Sequence, residues 1–111
     1  MDLARTIAAA AARGYPVLQC QECAENVRKA LIGAGFHGQI IELRNRGKFE
    51  LMVCMSYLGG QATITESGWH VGVRVGNMVF DNLHADGMRY DDWVHDFDAV
   101  NGVTASVVSD F

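Results

Sequence analysis

Apolar positions recur at helical spacing in the first third of the chain and at shorter spacing afterwards. Residues 3–13 are rich in alanine, a strong helix former, and Gly14 and Pro16 follow where the helix should end. Residues 20–34 show the clearest helical stripe, and Gly35 follows it as a C-terminal stop. We therefore predict two helices before the first strand. The stripe of the second helix consists of Cys20, Cys23, Ala24, Val27, Ala30, Leu31 and Ala34.

Beyond the second helix the apolar positions alternate or form short runs, which favours strands. The sequence NRG separates the first two runs and predicts a hairpin turn between them. Gly76 and Asn77 separate two later runs, and such a pair is a strong signal for a two-residue hairpin loop. Before the last strand, Trp93, Val94 and Phe97 are spaced as on a helix. The predicted strands cover residues 39–43, 48–55, 70–75, 78–83 and 102–108.

This order of elements predicts an α+β fold, in which N-terminal helices pack on an antiparallel sheet. The chain has 111 residues, of which 50% are hydrophobic and 20% charged, and this is typical of one globular domain with a modest core. We expect residues 1–111 to form a single domain. Residues 1–14 would be an N-terminal helix, and residues 15–111 would be the core that carries the chemistry.

Charge and composition argue against several classes of function. The net charge of −4 and the pI of about 5.4 disfavour nucleic-acid binding, because phosphate contacts need many cations. No apolar run approaches the roughly 18 residues of a membrane-spanning helix, so we expect no membrane span. The three cysteines are too few, and odd in number, for a disulfide framework, which favours a reducing compartment.

Cys20 and Cys23 stand three positions apart at the predicted start of the second helix, and three chemistries use such a pair. A structural zinc ion usually needs four ligands, and Cys54 and the histidines show no tight spacing that would complete the set. A redox pair normally follows a strand, whereas here the first strand comes after the helix. A single nucleophile fits the pattern best, so we expect no metal and no cofactor.

Cys20 is the better placed of the two cysteines to act as that nucleophile. The positive end of the helix dipole favours a thiolate at the helix start, where Cys20 lies. Cys23 lies one turn further along the apolar stripe. We interpret Cys23 and Cys54 as small hydrophobic residues of the core.

A nucleophilic cysteine needs a base and a group that orients the base. In the later predicted hairpin, a two-residue loop places Gly72 opposite Asp81, and His70 shares that side of the sheet with Gly72. His70 and Asp81 would be diagonal neighbours, about 7–8 Å apart at the backbone, and their side chains could close that gap. Gly72 has no side chain and leaves room over the pair. A bulge or a longer loop would instead bring His84 or Asn82 opposite His70.

These residues resemble the papain-like and transglutaminase-like thiol enzymes, in which the nucleophile opens a helix and an antiparallel sheet carries His and then Asp or Asn. Bacterial transglutaminase-like domains tend to show a Cys, an Ala four residues later, a Leu-rich helix, a Gly and a hydrophobic residue before the first strand. This alignment selects Cys20, whereas a looser alignment to the cysteine motif of papain selects Cys23. The corresponding positions here are Cys20, Ala24, Leu31, Gly35, Phe36, Gln39, Ile40 and Ile41.

More narrowly, the segments QCQECA, GWHVGV and VFDNLHADG, with a nearby Trp, resemble the papain-fold toxin domains of bacterial polymorphic toxin systems. The resemblance covers about residues 15–97. It implies a domain of a larger secreted or cell-surface-delivered protein, as in contact-dependent growth inhibition, that acts in the cytoplasm of a target cell. It also implies a cognate immunity protein in the producing cell. We expect a protein substrate in the target cell and, from the acidic charge, no nucleic-acid partner.

The resemblance further implies a catalytic triad of Cys20, His70 and Asp81. The thiolate would attack a peptide bond or a glutamine side-chain amide, as in a protease, deamidase or transglutaminase. The backbone N–H of Cys20 would help to hold the oxyanion. Further candidates for the oxyanion site or the cleft are Gln19, Trp69 and His84.

Two other classes of function stay open. One is a nuclease-type toxin that uses His70, His84 or His95 as acid and base. The other is a non-catalytic binding module. Neither class needs the thiol of Cys20, so a Cys20→Ser variant separates both from the thiol enzyme.

Overall fold

Two helices come first, α1 at Leu3–Ala12 and α2 at Cys20–Gly33, in a computed structural model that describes residues 2–46, 51–65 and 67–111. The carboxylate of Asp2 caps α1 by accepting a hydrogen bond from the backbone N–H of Arg5 at 3.0 Å. Gly35, with φ of +83°, ends α2 in the left-handed region, which glycine adopts without strain. The predicted two-helix start is confirmed.

Seven strands lie in the described part of the chain. Their bounds are β1 at Gln39–Asn45, β2 at Val53–Cys54, β3 at Trp69–Val75, β4 at Met78–Phe80, β5 at Met88–Arg89, β6 at Phe97–Asp98 and β7 at Val103–Asp110. Five of them form an antiparallel sheet in the spatial order β5-β4-β3-β1-β7, so its first and last strands in the chain lie side by side. The other two, β2 and β6, pair antiparallel in a second sheet.

The large sheet buries a different hydrophobic cluster on each face. On one face α2 packs against alternate residues of β3, including Val71 and Val73, and α1 packs against α2 and β4. On the other face Trp93 of α3 (Tyr90–His95) and Phe97 of β6 pack over Leu43 of β1. N-terminal helices on an antiparallel sheet make the fold α+β, as predicted.

The hairpin predicted for residues 39–43 and 48–55 is wrong in the part that the structure describes. β1 lies between β3 and β7, and Val53–Cys54 pairs with Phe97–Asp98 in the small sheet. Residues 48–50 lie outside the described residues. Local alternation indicates that a strand forms, but it does not indicate which distant strand will be its partner.

The hairpin of β3 and β4 forms with the predicted register. Val75 faces Met78 and Val73 faces Phe80 across the loop of Gly76 and Asn77. β4 is shorter than predicted and ends at Phe80, so the following residues leave the sheet and turn. In the part of the chain that the structure describes, no helix has the length and apolar character needed to cross a membrane.

Candidate active site

Cys20 is the first residue of α2, and only 8% of its surface is exposed. Leu18 has a φ of +78°, an uncommon conformation for a residue with a side chain, and it turns the chain into the helix. Such strained residues cluster at functional sites. Gln19 is exposed, and its side chain does not cap the first N–H groups of α2 with a hydrogen bond.

His70 lies near the start of β3 and is almost completely buried. Its Nε2 atom is 2.7 Å from Oδ2 of Asp81. Its Nδ1 atom is buried and lacks a partner in hydrogen-bonding geometry among the described residues. Cys20 nevertheless contributes to the raised pKa of the ring. Burial opposes the charged ring, but the hydrogen bond with Asp81, together with Cys20, raises the pKa of His70 to about 9.

Asp81 is fully buried, and its two carboxylate oxygens accept five hydrogen bonds. Oδ2 accepts from His70 Nε2 and from Trp93 Nε1 at 2.8 Å. Oδ1 accepts from the backbone N–H groups of Leu83 and His84 at 3.1 and 2.6 Å, and from His84 Nδ1 at 2.8 Å. Burial disfavours the charge, but the hydrogen bonds from His70 and His84 outweigh it and hold the pKa of Asp81 far below its usual range.

Gly72 makes room for the indole that supports Asp81. A Cβ atom at this position would lie 2.9 Å from Cζ2 of Trp93 and 2.8 Å from Cγ1 of Val79. The sequence predicted that Gly72 leaves space over His70 and Asp81. The structure shows that Trp93 fills this space and donates its N–H to the carboxylate.

His84 lies against the other side of Asp81 and joins it to a second group of side chains. His84 Nε2 is 2.7 Å from Oδ2 of Asp96, and Cys54 Sγ is 3.2 Å from the same oxygen. Burial opposes the charged ring, but the hydrogen bond with Asp81, supported by Cys54 and Asp96, raises the pKa of His84 to about 11. Burial also raises the pKa of Cys54.

Cys23 is completely buried one turn into α2. Its thiol donates to the backbone carbonyl of Ala12 at 3.5 Å, so it packs between the two helices. Burial, with the nearby charges of Asp81 and Cys20, raises the pKa of Cys23 to about 12. At neutral pH this cysteine is therefore a neutral core residue, as the sequence predicted.

Trp69 is half-buried and lines a groove of about 360 Å³ on the face of the sheet that carries α2. Gln21, which follows Cys20 in the chain, lines the same groove. The groove is more apolar than polar, and Ala24, Ile40, Val71 and Val108 complete much of its wall. Trp69 therefore borders a cleft close to the starts of α2 and β3.

The structure brings His70, Asp81 and His84 into one network and places Cys20 beside it. Sequence reasoning missed Trp93 as a donor to Asp81 and missed Cys54 and Asp96 as partners of His84. The helical stripe identified Trp93 as buried, but periodicity carries no information about its N–H. Cys54 and Asp96 are 42 positions apart, and no motif connects them.

A family model described as papain fold toxin 2 matches residues 2–98 of the chain. The matched range contains Cys20, His70 and Asp81. It also contains Cys54, His84 and Asp96. No curated protein and no solved structure matches the chain.

Proposed function

The chain belongs to the papain fold toxin 2 family, and on that premise we propose that it is a thiol enzyme with Cys20 as nucleophile, His70 as base and Asp81 as orienting group. The proposed substrate is a protein amide, either a peptide bond or a glutamine side chain. The reaction would be of the protease, deamidase or transglutaminase type.

The observation that carries this proposal is the unequal use of the two ring nitrogens of His70. Asp81 holds Nε2, while Nδ1 is buried and lacks a hydrogen-bond partner among the described residues. Cys20 contributes, after Asp81, to the raised pKa of this ring. A catalytic base needs one nitrogen held in place and the other available to the nucleophile, and this imidazole meets that requirement.

Cys54 is the rival nucleophile, because it also has a histidine and a carboxylate beside it. Both nitrogens of His84 are already engaged, Nδ1 by Asp81 and Nε2 by Asp96. Oδ2 of Asp96, at 2.7 Å, is a closer partner for this Nε2 than Cys54 Sγ at 3.8 Å. Cys54 is also completely buried and lies in a short strand, whereas Cys20 has some exposure and opens a helix.

The proposed mechanism uses the charge on His70. With its pKa raised to about 9, His70 is protonated at neutral pH, and a cationic ring is the kind of neighbour that activates a catalytic cysteine. The thiolate attacks the amide carbon and forms a tetrahedral intermediate, after which His70 gives its proton to the leaving nitrogen. The amine or ammonia leaves and a thioester remains on Cys20. Water or another amine then attacks the thioester and restores the thiol.

Asp81 stays ionised throughout, holding His70 and stabilising its imidazolium. The developing oxyanion would be bound by the backbone N–H of Cys20, which lies in the first turn of α2 and has no acceptor within the helix.

The biological role that follows is that of an antibacterial toxin domain. We propose that it is delivered as part of a larger secreted or cell-surface protein, acts in the cytoplasm of the target cell, and is neutralised by a cognate immunity protein in the producing cell. Membership of a toxin family supports this role.

The test is expression of the wild-type domain and three serine variants in bacteria that lack an immunity protein. We expect wild type to inhibit growth and Cys20→Ser to abolish inhibition. Cys23→Ser is the matched control, because it removes a buried thiol, and it should inhibit growth if it folds. Cys54→Ser tests the rival nucleophile, and a folded Cys54→Ser variant should keep at least part of the inhibition. Circular dichroism of each purified variant checks the fold.

A folded Cys20→Ser variant that still inhibits growth would overturn the thiol mechanism. Intact RNA and DNA in the inhibited cells would exclude the nuclease alternative, whereas their degradation would support it. Mass spectrometry of the cellular proteins would then separate the reaction types, since deamidation converts glutamine to glutamate, proteolysis creates new termini and transglutamination creates cross-links.

A further inference from the structure

A second group of potential ligands lies on the side of Asp81 opposite the proposed triad. It contains Cys54 in β2, His84 in the turn after β4, and Asp96 after the end of α3. The Sγ, imidazole nitrogen and carboxylate oxygen atoms all lie within 4.8 Å of one another. Among the described residues this is the group with the arrangement of a metal site, and Cys20 and Cys23 do not belong to it.

The distances within this group are close to those of a tetrahedral zinc site. At the usual zinc bond lengths, neighbouring ligand atoms are about 3.3–3.6 Å apart. Here Cys54 Sγ and His84 Nε2 are 3.8 Å apart, Cys54 Sγ and Asp96 Oδ2 are 3.2 Å apart, and His84 Nε2 and Asp96 Oδ2 are 2.7 Å apart. Side-chain movements of about half an ångström would turn three hydrogen-bonded atoms into three ligands.

The outer contacts of His84 are those of a metal-binding histidine. Its Nδ1 is 2.8 Å from Oδ1 of Asp81, and its backbone N–H donates to the same oxygen at 2.6 Å. A histidine that ligates a metal through one nitrogen normally donates its other N–H to a carboxylate or carbonyl. Asp81 therefore fixes the ring so that Nε2 points at Cys54 and Asp96.

From this geometry we infer that Cys54, His84 and Asp96 bind a zinc ion. A thiolate, an imidazole and a carboxylate together favour zinc over the hard cations magnesium and calcium, which prefer oxygen ligands. On binding, the thiol proton of Cys54 and the proton between His84 and Asp96 leave to solvent, and the ion accepts a lone pair from each ligand. A water molecule completes the tetrahedron, because the side chain of Asp96 is 13% exposed.

The ion would connect three segments of the chain at the small sheet. β2 and β6 each contain two residues and pair with each other in the small sheet, and Asp96 lies directly before β6. The three cysteines are free thiols, so no disulfide closes this region. A zinc ion on these ligands would anchor the small sheet to the turn that positions Asp81. This inference does not depend on Cys20 or on the proposed reaction.

The test is metal binding to the purified full chain after removal of bound ions with a chelator. We expect isothermal titration with zinc chloride to give one site per chain. Cobalt(II) should occupy the same site and give the thiolate-to-cobalt charge-transfer absorption and the intense visible bands of a four-coordinate ion. Cys54→Ser should remove the charge-transfer absorption, and Asp96→Asn should weaken zinc binding at least about tenfold.

Cys23→Ser and His95→Gln are the matched controls, because they remove another buried thiol and an exposed histidine. Both should bind zinc as wild type does. Unchanged zinc affinity in both Cys54→Ser and Asp96→Asn would overturn the inference. Loss of binding in Cys20→Ser with binding retained in Cys54→Ser would place the ion at the triad and would also overturn it. If Cys54→Ser does not fold, Asp96→Asn and the cobalt spectrum of wild type decide the question.

Discussion

The Nε2 atom of His70 lies 2.7 Å from Oδ2 of Asp81, and both side chains are almost completely excluded from solvent. His70 lies in β3 and Asp81 directly follows β4, so the hairpin register and the turn after β4 together bring them into contact. Because Asp81 holds one nitrogen, the ring cannot rotate freely, and its second nitrogen keeps a fixed direction. The reactivity of Cys20 should depend on this pair.

Replacement of His70 by Gln should slow the alkylation of Cys20 by iodoacetamide at pH 6 roughly tenfold or more. His70 carries a positive charge below its pKa of about 9, whereas the Gln amide can still donate to Asp81 but carries no charge. The rate is measured by mass spectrometry of the Cys20 peptide. His95→Gln is the control, since His95 is exposed on α3, and it should react at the wild-type rate. Equal rates in wild type and His70→Gln would show that His70 does not activate the thiol.

The three thiols should react with iodoacetamide in a defined order in the folded protein at neutral pH. Cys20 should be modified first, because Cys23 and Cys54 have no exposed surface and burial raises the pKa of both. Cys23, with a pKa of about 12, should react only when the protein unfolds. Peptide mass spectrometry with and without denaturant measures the order, and modification of Cys23 as fast as Cys20 in the native state would contradict it.

Features that depend on neighbouring residues could be predicted from the sequence. The end of α2 just before Gly35 follows from the conformational freedom of that glycine, and the loop of Gly76 and Asn77 follows from turn chemistry. The contact of His70 with Asp81 then follows from the two-residue period of strands, once the loop is known. The catalytic roles of these residues stay a prediction until the thiol variants are measured.

Features that depend on distant pairing could not be predicted from the sequence. The alternation of residues 48–55 indicated a strand, but Val53–Cys54 pairs with a segment more than forty residues away. The contacts of Trp93 with Asp81 and of Asp96 with His84 arise only after α3 has packed on the sheet. Such contacts depend on how elements pack, and residue spacing within one element does not encode that packing.

Replacement of Gly72 by Ala should destabilise the protein by about 1–3 kcal/mol, the usual cost of overpacking a core. The new Cβ would lie 2.9 Å from the Trp93 ring, so the indole must move and its hydrogen bond to Asp81 must lengthen. We therefore also expect slower alkylation of Cys20. Urea unfolding measures the loss of stability.

Gly33→Ala is the matched control for Gly72→Ala. Gly33 lies in the last turn of α2, and a Cβ atom there meets nothing within 4 Å. This substitution should be neutral or stabilise the protein by up to about 1 kcal/mol, because alanine loses less backbone entropy in a helix. If both variants had the same stability as wild type, the proposed crowding between residue 72 and Trp93 would be incorrect.

The free energy of unfolding should fall as the pH rises through about 9, in protein kept metal-free with a chelator. The folded state raises the pKa of His70 from 6.5 to about 9, so it binds a proton more tightly than the unfolded chain. This contribution is complete below pH 6.5 and is lost as the pH approaches and passes 9, with a slope of at most about 1.4 kcal/mol per pH unit. His70→Gln lacks this proton, so its stability should fall less between pH 6.5 and 9.5 in urea titrations. His84, whose pKa is raised from 6.5 to about 11, lowers the stability of both proteins over the same pH range and on toward pH 11. Because this slope is common to both, parallel curves for wild type and His70→Gln below pH 9 would contradict a charged His70 in the folded protein.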